Sequence, residues 1–362
     1  MRALVMTAID RMSVREVEVD ELRPDEVLVQ TAASGLCHSD LTMLHGNMTG
    51  PFYVPKVLGH EVAGVIKEVG SAVTEFEVGD HVVGCNSRYC GTCPECLDGR
   101  SWLCSRRTDI PRDRPRLTLD GMAVAQNGQL GGFGEELIVG ADTLAKVPKE
   151  LPLDRAALLG CAVMTGVGAV FNGAKVTPGS SVVVFGCGGI GLNAIQGAAI
   201  AGARQIIAID MSAEKLELAR VFGATDVIDA RDGVSVERVG VLTDGVGVDY
   251  VFDCVGLPSA VREGVEMVRP GHSVYLVGLP PVGVDYLVGG PELVLFGKSL
   301  SGLLMGSNNF KRDIPLLADL YLRGKLKLDE LISERISLDE VGDAMARMEQ
   351  PGSPVARSVV VY

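Results

Sequence analysis

The sequence lacks the features that mark nucleic-acid-binding, membrane-spanning and secreted proteins. Basic residues are the minority, since 33 Lys and Arg stand against 46 Asp and Glu, giving a formal net charge of −13. No nucleic-acid or anionic membrane partner is therefore expected. The N-terminus contains no long apolar segment, so no signal peptide is predicted and we expect a cytoplasmic location. The most apolar stretch, 181–203, contains Asn193, Gln196 and several glycines, which predicts a strand, a turn and a helix rather than a membrane span.

The 362 residues, of which 47% are hydrophobic, suffice for two or three domains with large cores. No internal repeat is present, and the part up to about residue 150 is predicted to be β-rich, with strands at 27–29 and 62–69. A helix over 314–323, a helix that begins at the capping box 337–340 and a strand over 356–361 are predicted near the end. Between these parts, apolar strands alternate with helical patterns, which predicts βαβ units and a parallel sheet: 181–185 then 190–201, 205–209 then 213–222, 249–253 then 258–268, and 273–277. The simplest organisation is an α/β protein in which a β-rich module is split around an inserted α/β domain.

Four of the nine cysteines form a compact C-x2-C-x2-C-x7-C motif, namely Cys90, Cys93, Cys96 and Cys104. In a reducing compartment, clustered cysteines more often bind metals or remain thiols than form disulfides. Four thiolates can surround one zinc ion tetrahedrally and leave no position open for a substrate, so the motif predicts a structural zinc site. An iron–sulfur cluster is one alternative, and four unligated thiols in a reduced loop are another.

A glycine-rich turn follows an apolar strand and opens a helical pattern in SVVVFGCGGIG, residues 181–191. Its spacing predicts a dinucleotide site, in which Gly186 allows a tight turn, Gly188 lets the backbone approach a pyrophosphate and Gly191 permits close helix–strand packing. The phosphates would lie at the positive end of the helix dipole. Asp210 ends the next strand, 19 residues after Gly191, where a carboxylate accepts hydrogen bonds from ribose hydroxyls and favours NAD. The alternative is a glycine-rich packing turn without a ligand.

Two further cysteines and a histidine stand far apart in the sequence, each in a distinctive local string. GLCHSD contains Cys37, GHE contains His60, and LGCAVMTGVGA contains Cys161. Two thiolates and one imidazole, with a water molecule, form an open zinc site. Such a site can polarise an alcohol oxygen and lower its pKa toward neutrality.

In this order, the strings resemble the zinc-dependent alcohol dehydrogenases of the medium-chain dehydrogenase/reductase superfamily. They are GLCHSDL, VLGHEVAGVIKEVG, FEVGDHV, the four-cysteine motif, GCAVMTGVGA and GCGGIG, and they cover most of the chain. The resemblance implies a GroES-like β-rich catalytic domain over 1–160 and 303–362, with a structural zinc lobe at about 85–105. It also implies an inserted Rossmann domain over 161–302, a doubly wound parallel sheet that binds NAD, and a homodimer or homotetramer.

The activity that the resemblance implies is the reversible, NAD-dependent oxidation of a primary or secondary alcohol to an aldehyde or ketone. Two zinc ions would be bound per chain, and the catalytic ion would be held by Cys37, His60 and Cys161. This ion would hold the substrate alkoxide, while Ser39 would remove the alcohol's proton. Glu61 would approach the metal transiently or form a salt bridge beside it. The resemblance also implies that Asp40 orients the ligand histidine.

The resemblance also implies a set of coenzyme contacts. His38 and Arg357 would contact the coenzyme phosphates, and Thr165 would lie near the nicotinamide. Lys215 would lie near the adenosine ribose, with a solvated helix lysine as the alternative. The complete set is His38, Thr165, Gly186, Gly188, Gly189, Ile190, Gly191, Asp210, Lys215, Val277 and Arg357.

Two positions depart from the family's pattern. Thr42 stands where many relatives carry a histidine that hands the proton to solvent, so either His45 or water would finish the path. Asn86 stands where relatives often have an aromatic or apolar wall of the substrate pocket. The substrate therefore stays open, and a thiol-dependent formaldehyde dehydrogenase of the same superfamily is the alternative function. An alternative of another class is a catalytically silent protein that binds a nucleotide or zinc.

Overall fold

The computed structural model describes residues 1–48, 53–106, 116–350 and 352–362. Within these residues, the strands are β1 (Arg2–Ala8), β2 (Arg11–Glu16), β3 (Glu18–Val19), β4 (Glu26–Gly35), β5 (Lys56–Val57), β6 (Glu61–Val69), β7 (His81–Gly84), β8 (Leu117–Leu119), β9 (Met122–Gln126), β10 (Glu136–Gly140), β11 (Leu144–Lys146), β12 (Ser181–Phe185), β13 (Gln205–Asp210), β14 (Asp226–Asp229), β15 (Val248–Asp253), β16 (Val268–Leu276), β17 (Ser299–Gly302), β18 (Ile332–Ile336) and β19 (Arg357–Val361).

The α-helices of the described residues are α1 (His38–Leu44), α2 (Pro94–Leu97), α3 (Leu153–Leu158), α4 (Met164–Gly168), α5 (Gly189–Ile200), α6 (Ala213–Val221), α7 (Ser235–Leu242), α8 (Pro258–Met267), α9 (Gly290–Phe296), α10 (Phe310–Leu322) and α11 (Val341–Met348). Two π-helical turns follow α3 and α4, at Leu159–Val163 and Ala169–Ala174. Short 3-10 turns occur at Ser101–Leu103, Asn127–Gln129, Ala141–Thr143, Ala230–Asp232, Met305–Ser307, Asp329–Leu331 and Leu338–Glu340.

Contacts divide the chain into two compact units. The first comprises Met1–Ala162, Asn309–Gln350 and Arg357–Tyr362, and the second comprises Val163–Asn308 with residues 352–356. The sequence analysis predicts a catalytic domain over 1–160 and 303–362 and an NAD-binding domain over 161–302. This assignment of ligands to domains stays a prediction.

The first unit contains two sheets. One has the strand order β2-β1-β5-β9-β8-β3, and the other has the order β11-β7-β6-β4-β19-β18, with β10 also paired to β4. Most ladders are antiparallel, and the predicted strands at 27–29 and 62–69 lie within β4 and β6. In the ladder between these two strands, Gly35 is opposite Glu61. This register places the residues that follow β4 beside the residues that precede β6.

Alternation of side chains along β4 builds part of this unit's core. Val27, Val29 and Ala33 are fully buried, and Val62 and Ile66 of β6 are buried with them. Successive residues of a strand point to opposite faces, so every second residue of β4 lies on the core side. Burial of each valine or isoleucine contributes roughly 1.5–3 kcal/mol.

The second unit contains a parallel sheet with the strand order β14-β13-β12-β15-β16-β17. This confirms the parallel sheet expected from the alternation of strands and helices. All five residues of β12 are buried, because a strand inside a parallel sheet is covered on both faces. The chain runs outward from β12 in one direction through β13 and β14, and in the other through β15, β16 and β17. The carboxyl end of β12 is therefore at the switch point where such sheets bind ligands.

Several elements differ from the sequence prediction. The strand expected at 273–277 is the end of β16, which begins at Val268, and the helix expected at 314–323 is α10, which begins at Phe310. The capping box is present, but it caps a 3-10 turn, Leu338–Glu340, that leads into α11. Besides the buried helix α4, four elements of the second unit had no predicted counterpart: β14, α7, α9 and β17. Their residues are half exposed, so their sequences lack the continuous apolar character of the buried strands.

One helical run, Leu153–Ala174, is long and apolar enough to meet the length and composition criteria for a membrane span. Within its apolar window, 83% of the residues are buried inside the protein. Core helices meet the same criteria, so this run is a weak indication of a membrane segment.

Candidate functional site

Cys37, His60 and Cys161 meet in the first unit, together with Glu61. One ligand atom from each residue (two thiol sulfurs, an imidazole nitrogen and a carboxylate oxygen) lies within 4.8 Å of the others. All four side chains are buried. Sulfur and imidazole nitrogen are the donors that zinc prefers, and three protein ligands are typical of zinc sites that bind a substrate. The donor set therefore fits a zinc ion.

The sheet brings two of these donors together. Cys37 follows β4 and is the N-cap residue of α1, while His60 directly precedes β6. Because Gly35 and Glu61 are opposite each other in the β4–β6 ladder, Cys37 and His60 leave the sheet at the same edge. The proximity of the two residues thus follows from strand register, which local sequence does not reveal.

The third donor depends on an irregular helix. Cys161 lies in the π-helical turn Leu159–Val163, and π turns inside helices occur frequently at functional sites. The preceding residue, Gly160, packs against the end of β7, where a Cβ atom would lie 2.3 Å from the carbonyl oxygen of Gly84. Only glycine permits this approach, which holds the turn against the sheet.

Asp40 links Cys37 and His60, two of the candidate ligands, through hydrogen bonds. Its Oδ1 atom accepts from His60 Nδ1 at 3.1 Å, from the Gly59 amide at 3.2 Å and from Asn127 Nδ2 at 3.1 Å. Its Oδ2 atom accepts from the Cys37 amide at 3.2 Å. Nδ1 of the histidine therefore carries a proton, which leaves Nε2 free to bind a metal. Burial opposes charging of His60, but Asp40 raises the pKa of the imidazole well above its usual value.

The two thiols affect each other's ionisation. The interaction with Cys161 lowers the pKa of Cys37 well below its usual value, whereas the interaction with Cys37 raises the pKa of Cys161 well above its usual value. Burial raises the pKa of both thiols, whereas the nearby His60 lowers that of Cys37. Metal binding requires deprotonated thiols, so the remaining proton must leave when zinc binds.

Glu61 and Arg357 form a buried pair beside the thiols. Glu61 Oε1 lies 3.4 Å from Arg357 Nη2, which in turn lies 4.0 Å from the sulfur of Cys37. In the described part of the chain, no donor hydrogen-bonds to either Glu61 oxygen. Burial raises the pKa of Glu61 to about 8, although Arg357 opposes the shift. The pair supports the salt-bridge interpretation of Glu61, whereas the predicted contact of Arg357 with a coenzyme phosphate stays a prediction.

Ser39 is the second residue of α1 and lies beside His60. Its Oγ atom is 3.2 Å from His60 Nε2, the nitrogen that faces away from Asp40, and the residue is half-buried. His38, the preceding residue of α1, is exposed. Thr42 donates its hydroxyl hydrogen to the carbonyl oxygen of His38 at 3.1 Å, so its side chain is engaged within the helix. Of the three side chains, only that of Ser39 is hydrogen-bonded to a predicted ligand.

His45 is the C-cap residue of α1 and bridges two carboxylates at the surface. Its Nδ1 atom lies 2.5 Å from Asp10 Oδ1, and its Nε2 atom lies 2.5 Å from Glu349 Oε1. Hydrogen bonds to Asp10 and then Glu349 raise the pKa of His45. These contacts favour a structural role for His45 at a helix end over a role in proton transfer.

Replacement of His45 by Gln is expected to lower stability at acidic pH and to change it little in alkaline solution. A group whose pKa is raised by folding contributes stability below its unfolded pKa, about 6.5 for histidine. That contribution is lost as the pH rises through the folded pKa. The pair is partly exposed, so the loss should be about 0.5–1 kcal/mol. Urea unfolding at about pH 5.5 and about pH 9 measures it, and an equal loss at both values would contradict the assignment.

The second cluster consists of the four cysteines of the C-x2-C-x2-C-x7-C motif, whose sulfur atoms all lie within 4.8 Å of one another. The Cys90 sulfur accepts hydrogen bonds from the amides of Thr92 and Cys93, and the Cys104 sulfur accepts from the Cys90 amide. These bonds, beginning with that of Thr92, lower the pKa of Cys90 to about 6. Burial raises the pKa of Cys96 to about 12. Amides that donate to sulfur stabilise thiolates, and a donor set of four thiolates fits a closed zinc site.

All nine cysteines are free thiols.

The glycine-rich turn connects β12 to α5 in the second unit. Gly186 has a φ of +85°, and its amide donates to the Ile209 carbonyl at 2.8 Å. Gly188 is the N-cap residue of α5, and a Cβ atom there would meet nothing within 4 Å. A Cβ atom at Gly191 would lie 1.7 Å from the Gly186 carbonyl oxygen, which explains the third glycine. Gly189 and Ile190 form the first turn of the helix, so backbone amides and the helix dipole are available to a phosphate.

Asp210 ends β13 beside this turn. Its Oδ2 atom accepts from the Cys187 amide at 2.6 Å, and its Oδ1 atom accepts from the Ser212 amide at 2.9 Å. Each carboxylate oxygen has a further lone pair, so the group can also accept hydrogen bonds from ribose hydroxyls. The two amide bonds fix the orientation of the carboxylate, and this geometry fits the adenosine end of a dinucleotide.

The remaining predicted coenzyme residues lie in the second unit at separate elements. Thr165, in α4, is buried, and its hydroxyl points to Met305 Sδ at 3.8 Å. Lys215 is half-buried in the first turn of α6. Val277 directly follows β16, and its amide donates to the Asp253 carbonyl at 2.9 Å.

Sequence reasoning missed Asn127, which donates to the carboxylate that orients His60. The residue begins a short 3-10 turn between β9 and β10, and it lies in no motif. Its role arises only from the folding of a distant loop onto α1, so no local signal could have indicated it.

Comparisons with known proteins agree with this geometry. Residues 23–149 match the family model of an alcohol dehydrogenase GroES-like domain, and residues 189–319 match that of a zinc-binding dehydrogenase. The chain is 37% identical over 346 residues to a class-3 alcohol dehydrogenase of Myxine glutinosa, covering 93% of this chain and 91% of the relative. It is 35% identical over 375 residues to an S-(hydroxymethyl)glutathione dehydrogenase of Paracoccus denitrificans, covering 99% of each.

Solved structures are similar over nearly the whole chain. The benzyl alcohol dehydrogenase of Acinetobacter calcoaceticus has a TM-score of 0.90 and 32% identity, covering 99% of this chain and 98% of that one. A putative zinc-binding dehydrogenase of Sinorhizobium meliloti, solved with NADP, has a TM-score of 0.84 and 29% identity, covering 100% and 99%. The predicted fold class, a GroES-like domain with a Rossmann-like parallel sheet, is thereby confirmed.

Proposed function

Because the chain belongs to the zinc-dependent alcohol dehydrogenases of the medium-chain dehydrogenase/reductase superfamily, we propose that it catalyses the reversible, NAD-dependent oxidation of a primary or secondary alcohol. The product is an aldehyde or a ketone. The observation that carries the proposal is the buried cluster of Cys37, His60 and Cys161, with the hydroxyl of Ser39 3.2 Å from His60 Nε2. This combination supplies both a metal-binding donor set and a group that can move a proton.

When bound, zinc would polarise the alcohol oxygen and NAD would accept a hydride, so that a C–H and an O–H bond break, a C=O bond forms and one proton is released. Cys37, His60 and Cys161 would hold the metal, and Asp40 would keep the imidazole in the ligating tautomer. Ser39 would take the proton from the alcohol, because a hydroxyl both accepts and donates. Burial of the ligands excludes water from the donor set and strengthens electrostatic interactions there.

The proposal also covers cofactor count, oligomeric state and location. Two clusters with suitable donors support two zinc ions per chain, one at Cys37, His60 and Cys161 and one at the four-cysteine motif. A homodimer or homotetramer and a cytoplasmic location are part of the proposal. We propose that small alcohols and aldehydes are the chain's partners, consistent with its similarity to a class-3 alcohol dehydrogenase and a benzyl alcohol dehydrogenase.

A thiol-dependent formaldehyde dehydrogenase is the second candidate. The similarity to the S-(hydroxymethyl)glutathione dehydrogenase of Paracoccus denitrificans favours it. An NADH-absorbance screen of primary, secondary, aromatic and terpenoid alcohols, with and without small thiols, distinguishes the two candidates. Oxidation of alcohols without a thiol supports the first, whereas activity only with formaldehyde and a thiol would overturn it.

NAD is expected to be preferred over NADP, and Asp210→Gly is expected to reduce that preference. The fixed carboxylate of Asp210 can accept ribose hydrogen bonds and repels a 2′-phosphate, and the residues that follow it, Met211 and Ser212, offer no positive charge. The preference in kcat/KM should be on the order of 100-fold or more.

The ratio of kcat/KM for the two coenzymes measures this preference. Asp210→Gly should bring the ratio toward one, while Glu217→Gln, an exposed carboxylate on α6, should leave it unchanged. A wild-type ratio near one, or one that favours NADP, would refute the role of Asp210.

A further inference from the structure

Asp253 is a fully buried carboxylate at the carboxyl end of β15, and it lies in none of the sequence motifs. In the parallel sheet, β15 lies between β12 and β16. The glycine-rich turn that fits a pyrophosphate follows β12, and Asp210, which fits the adenosine end, closes β13 on the other side. Because dinucleotides bind across the switch point of such a sheet, the nicotinamide half would lie over the carboxyl ends of β15 and β16.

Hydrogen bonds to Asp253 join the loops that follow β15 and β16. Its Oδ1 atom accepts from the amides of Val255 and Gly256, both at 3.0 Å. Its backbone carbonyl oxygen accepts from the amides of Val277 and Gly278, at 2.9 and 2.8 Å. All five residues belong to the second unit. One residue therefore fixes four backbone amides at the edge of the sheet where the nicotinamide half is expected.

The two loops are packed on each other without spare room. A Cβ atom at Gly278 would lie 2.4 Å from the amide nitrogen of Gly256 and 2.6 Å from the carbonyl carbon of Val255. A Cβ atom at Gly186, in the glycine-rich turn, would lie 2.6 Å from Cγ2 of Val255. The loop after β15 thus lies directly beside the turn that fits the pyrophosphate, and a shift of this loop would displace the loop after β16.

The adenosine side of the sheet has supports of its own. The Gly186 amide donates to the Ile209 carbonyl at 2.8 Å, and the Cys187 amide donates to Asp210 Oδ2 at 2.6 Å. Both bonds join the glycine-rich turn to β13, and neither involves Asp253. Loss of the Asp253 side chain should therefore loosen the loops after β15 and β16 and leave the β13 side in place.

The carboxylate of Asp253 carries a cost that a simple turn does not require. Its Oδ2 atom is buried, and among the described residues no donor bonds to it. Burial raises the pKa of Asp253, although the amides of Gly256 and Val255 oppose the shift. A neutral asparagine could accept the same two bonds, but bonds to an ionised acceptor are roughly twice as strong. The charge holds the loop more firmly at the expense of stability, a combination expected at functional sites.

We propose that Asp253 is a positioning residue for the nicotinamide half of the coenzyme, because it fixes the two loops on which that half would lie. The inference rests on the proposed function, from which it takes NAD as the coenzyme. Asp253 does not touch the reacting atoms in this role, and it acts through the backbone of the loops after β15 and β16. Loss of its bonds should weaken binding of the nicotinamide half while the adenosine half binds as before.

The test compares the dissociation constants of NADH and ADP, measured by titration calorimetry on the zinc-loaded protein. ADP contains the adenosine and both phosphates of the coenzyme but not the nicotinamide riboside. Asp253→Ala should raise Kd for NADH roughly tenfold to hundredfold, and it should change Kd for ADP by less than about threefold. Asp253→Asn keeps a neutral acceptor for the two amides and should raise Kd for NADH less than Asp253→Ala does.

Asp249→Asn is the matched control, because it makes the same chemical change near the amino end of the same strand. There the Asp249 carboxylate accepts from the amide and the hydroxyl of Ser181, at 2.7 and 2.9 Å. This variant should leave the ratio of the two dissociation constants unchanged, whatever its melting temperature.

A purely structural role for Asp253 predicts that both ligands bind more weakly by the same factor, and that result would overturn the inference. Folded variants with the wild-type ratio would overturn it too. If Asp253→Ala does not fold, the ratio for Asp253→Asn decides between the two roles. Wild-type protein that binds no NADH would refute the proposed function and this inference with it, whereas an unchanged ratio in the variants refutes this inference alone.

Discussion

Replacement of Ser39 by alanine is expected to reduce kcat by roughly 10²–10⁴-fold, because it removes a proton-transfer group positioned beside the proposed ligand His60. The hydroxyl of Ser39 lies 3.2 Å from His60 Nε2, so it is next to the donor set that would activate the alcohol. A hydroxyl can accept the proton and pass on its own without holding a charge. Ser39→Thr retains the hydroxyl and should keep most of the activity.

The zinc content of each Ser39 variant must be measured together with its rate. Ser39 is not one of the three proposed ligands, so Ser39→Ala should bind as much zinc as the wild-type protein, and the loss should fall on kcat rather than on folding. His45→Gln is the matched control, since His45 is held by Asp10 and Glu349 at the surface. His45→Gln should reduce kcat much less than Ser39→Ala does, and it should leave the pH profile of kcat nearly unchanged. If His45→Gln cost as much rate as Ser39→Ala, proton transfer would run through His45.

Thr42 offers a further test of the same path. Its hydroxyl is bonded to the His38 carbonyl within α1, and a threonine cannot act as a base near neutral pH. Thr42→His should therefore add or move an ionisation near neutral pH in the profile of kcat. A profile identical to that of the wild type would mean that water alone carries the proton beyond Ser39.

The parallel sheet of the second unit could be predicted from the sequence because its central strands are buried on both faces. The predicted limits of the strand at 181–185 are those of β12, and Asp210 is the last residue of β13, as predicted. The half-exposed elements β14 and α7 escaped prediction, since short polar strands and helices carry a weak periodic signal.

The candidate metal site could be predicted only in part. The strings that contain Cys37, His60 and Cys161 predict the kinds of donor, namely two thiolates and one imidazole. Their meeting depends on the register of β4 with β6 and on a π-helical turn held by Gly160, and neither is encoded in a local pattern. The hydrogen bond from Asn127 to Asp40 is of the same kind, because it joins residues that only the fold brings together.

A second large effect is expected when the four-cysteine cluster is altered. Cys93→Ser is expected to remove one zinc ion per chain and to lower the melting temperature markedly. Cys93 is buried, and its sulfur lies 3.8 Å from that of Cys104, so a serine would leave a smaller and less acidic donor in the interior of the cluster. Closed zinc sites contribute folding energy directly, with apparent binding free energies of about 10–16 kcal/mol in small zinc-binding peptides. A loss of only several kcal/mol in a protein of this size would lower the melting temperature by roughly 10 °C.

Cys37→Ser is expected to lower turnover rather than stability. Comparison of the two variants therefore tests which cluster is catalytic and which is structural. Cys37→Ser should abolish most turnover, because Cys37 is one of the three proposed ligands beside Ser39. The lobe that contains Cys93 should keep its metal, and most of the stability should be retained. Cys254→Ser, a change outside both clusters, should keep two zinc ions and wild-type turnover. Metal analysis that found iron, or a single zinc ion in the wild-type protein, would contradict the assignment of two zinc sites. If Cys93→Ser left the melting temperature unchanged, the four-cysteine cluster would not be a structural site, because a closed metal site that can be lost without thermal cost does not support the fold.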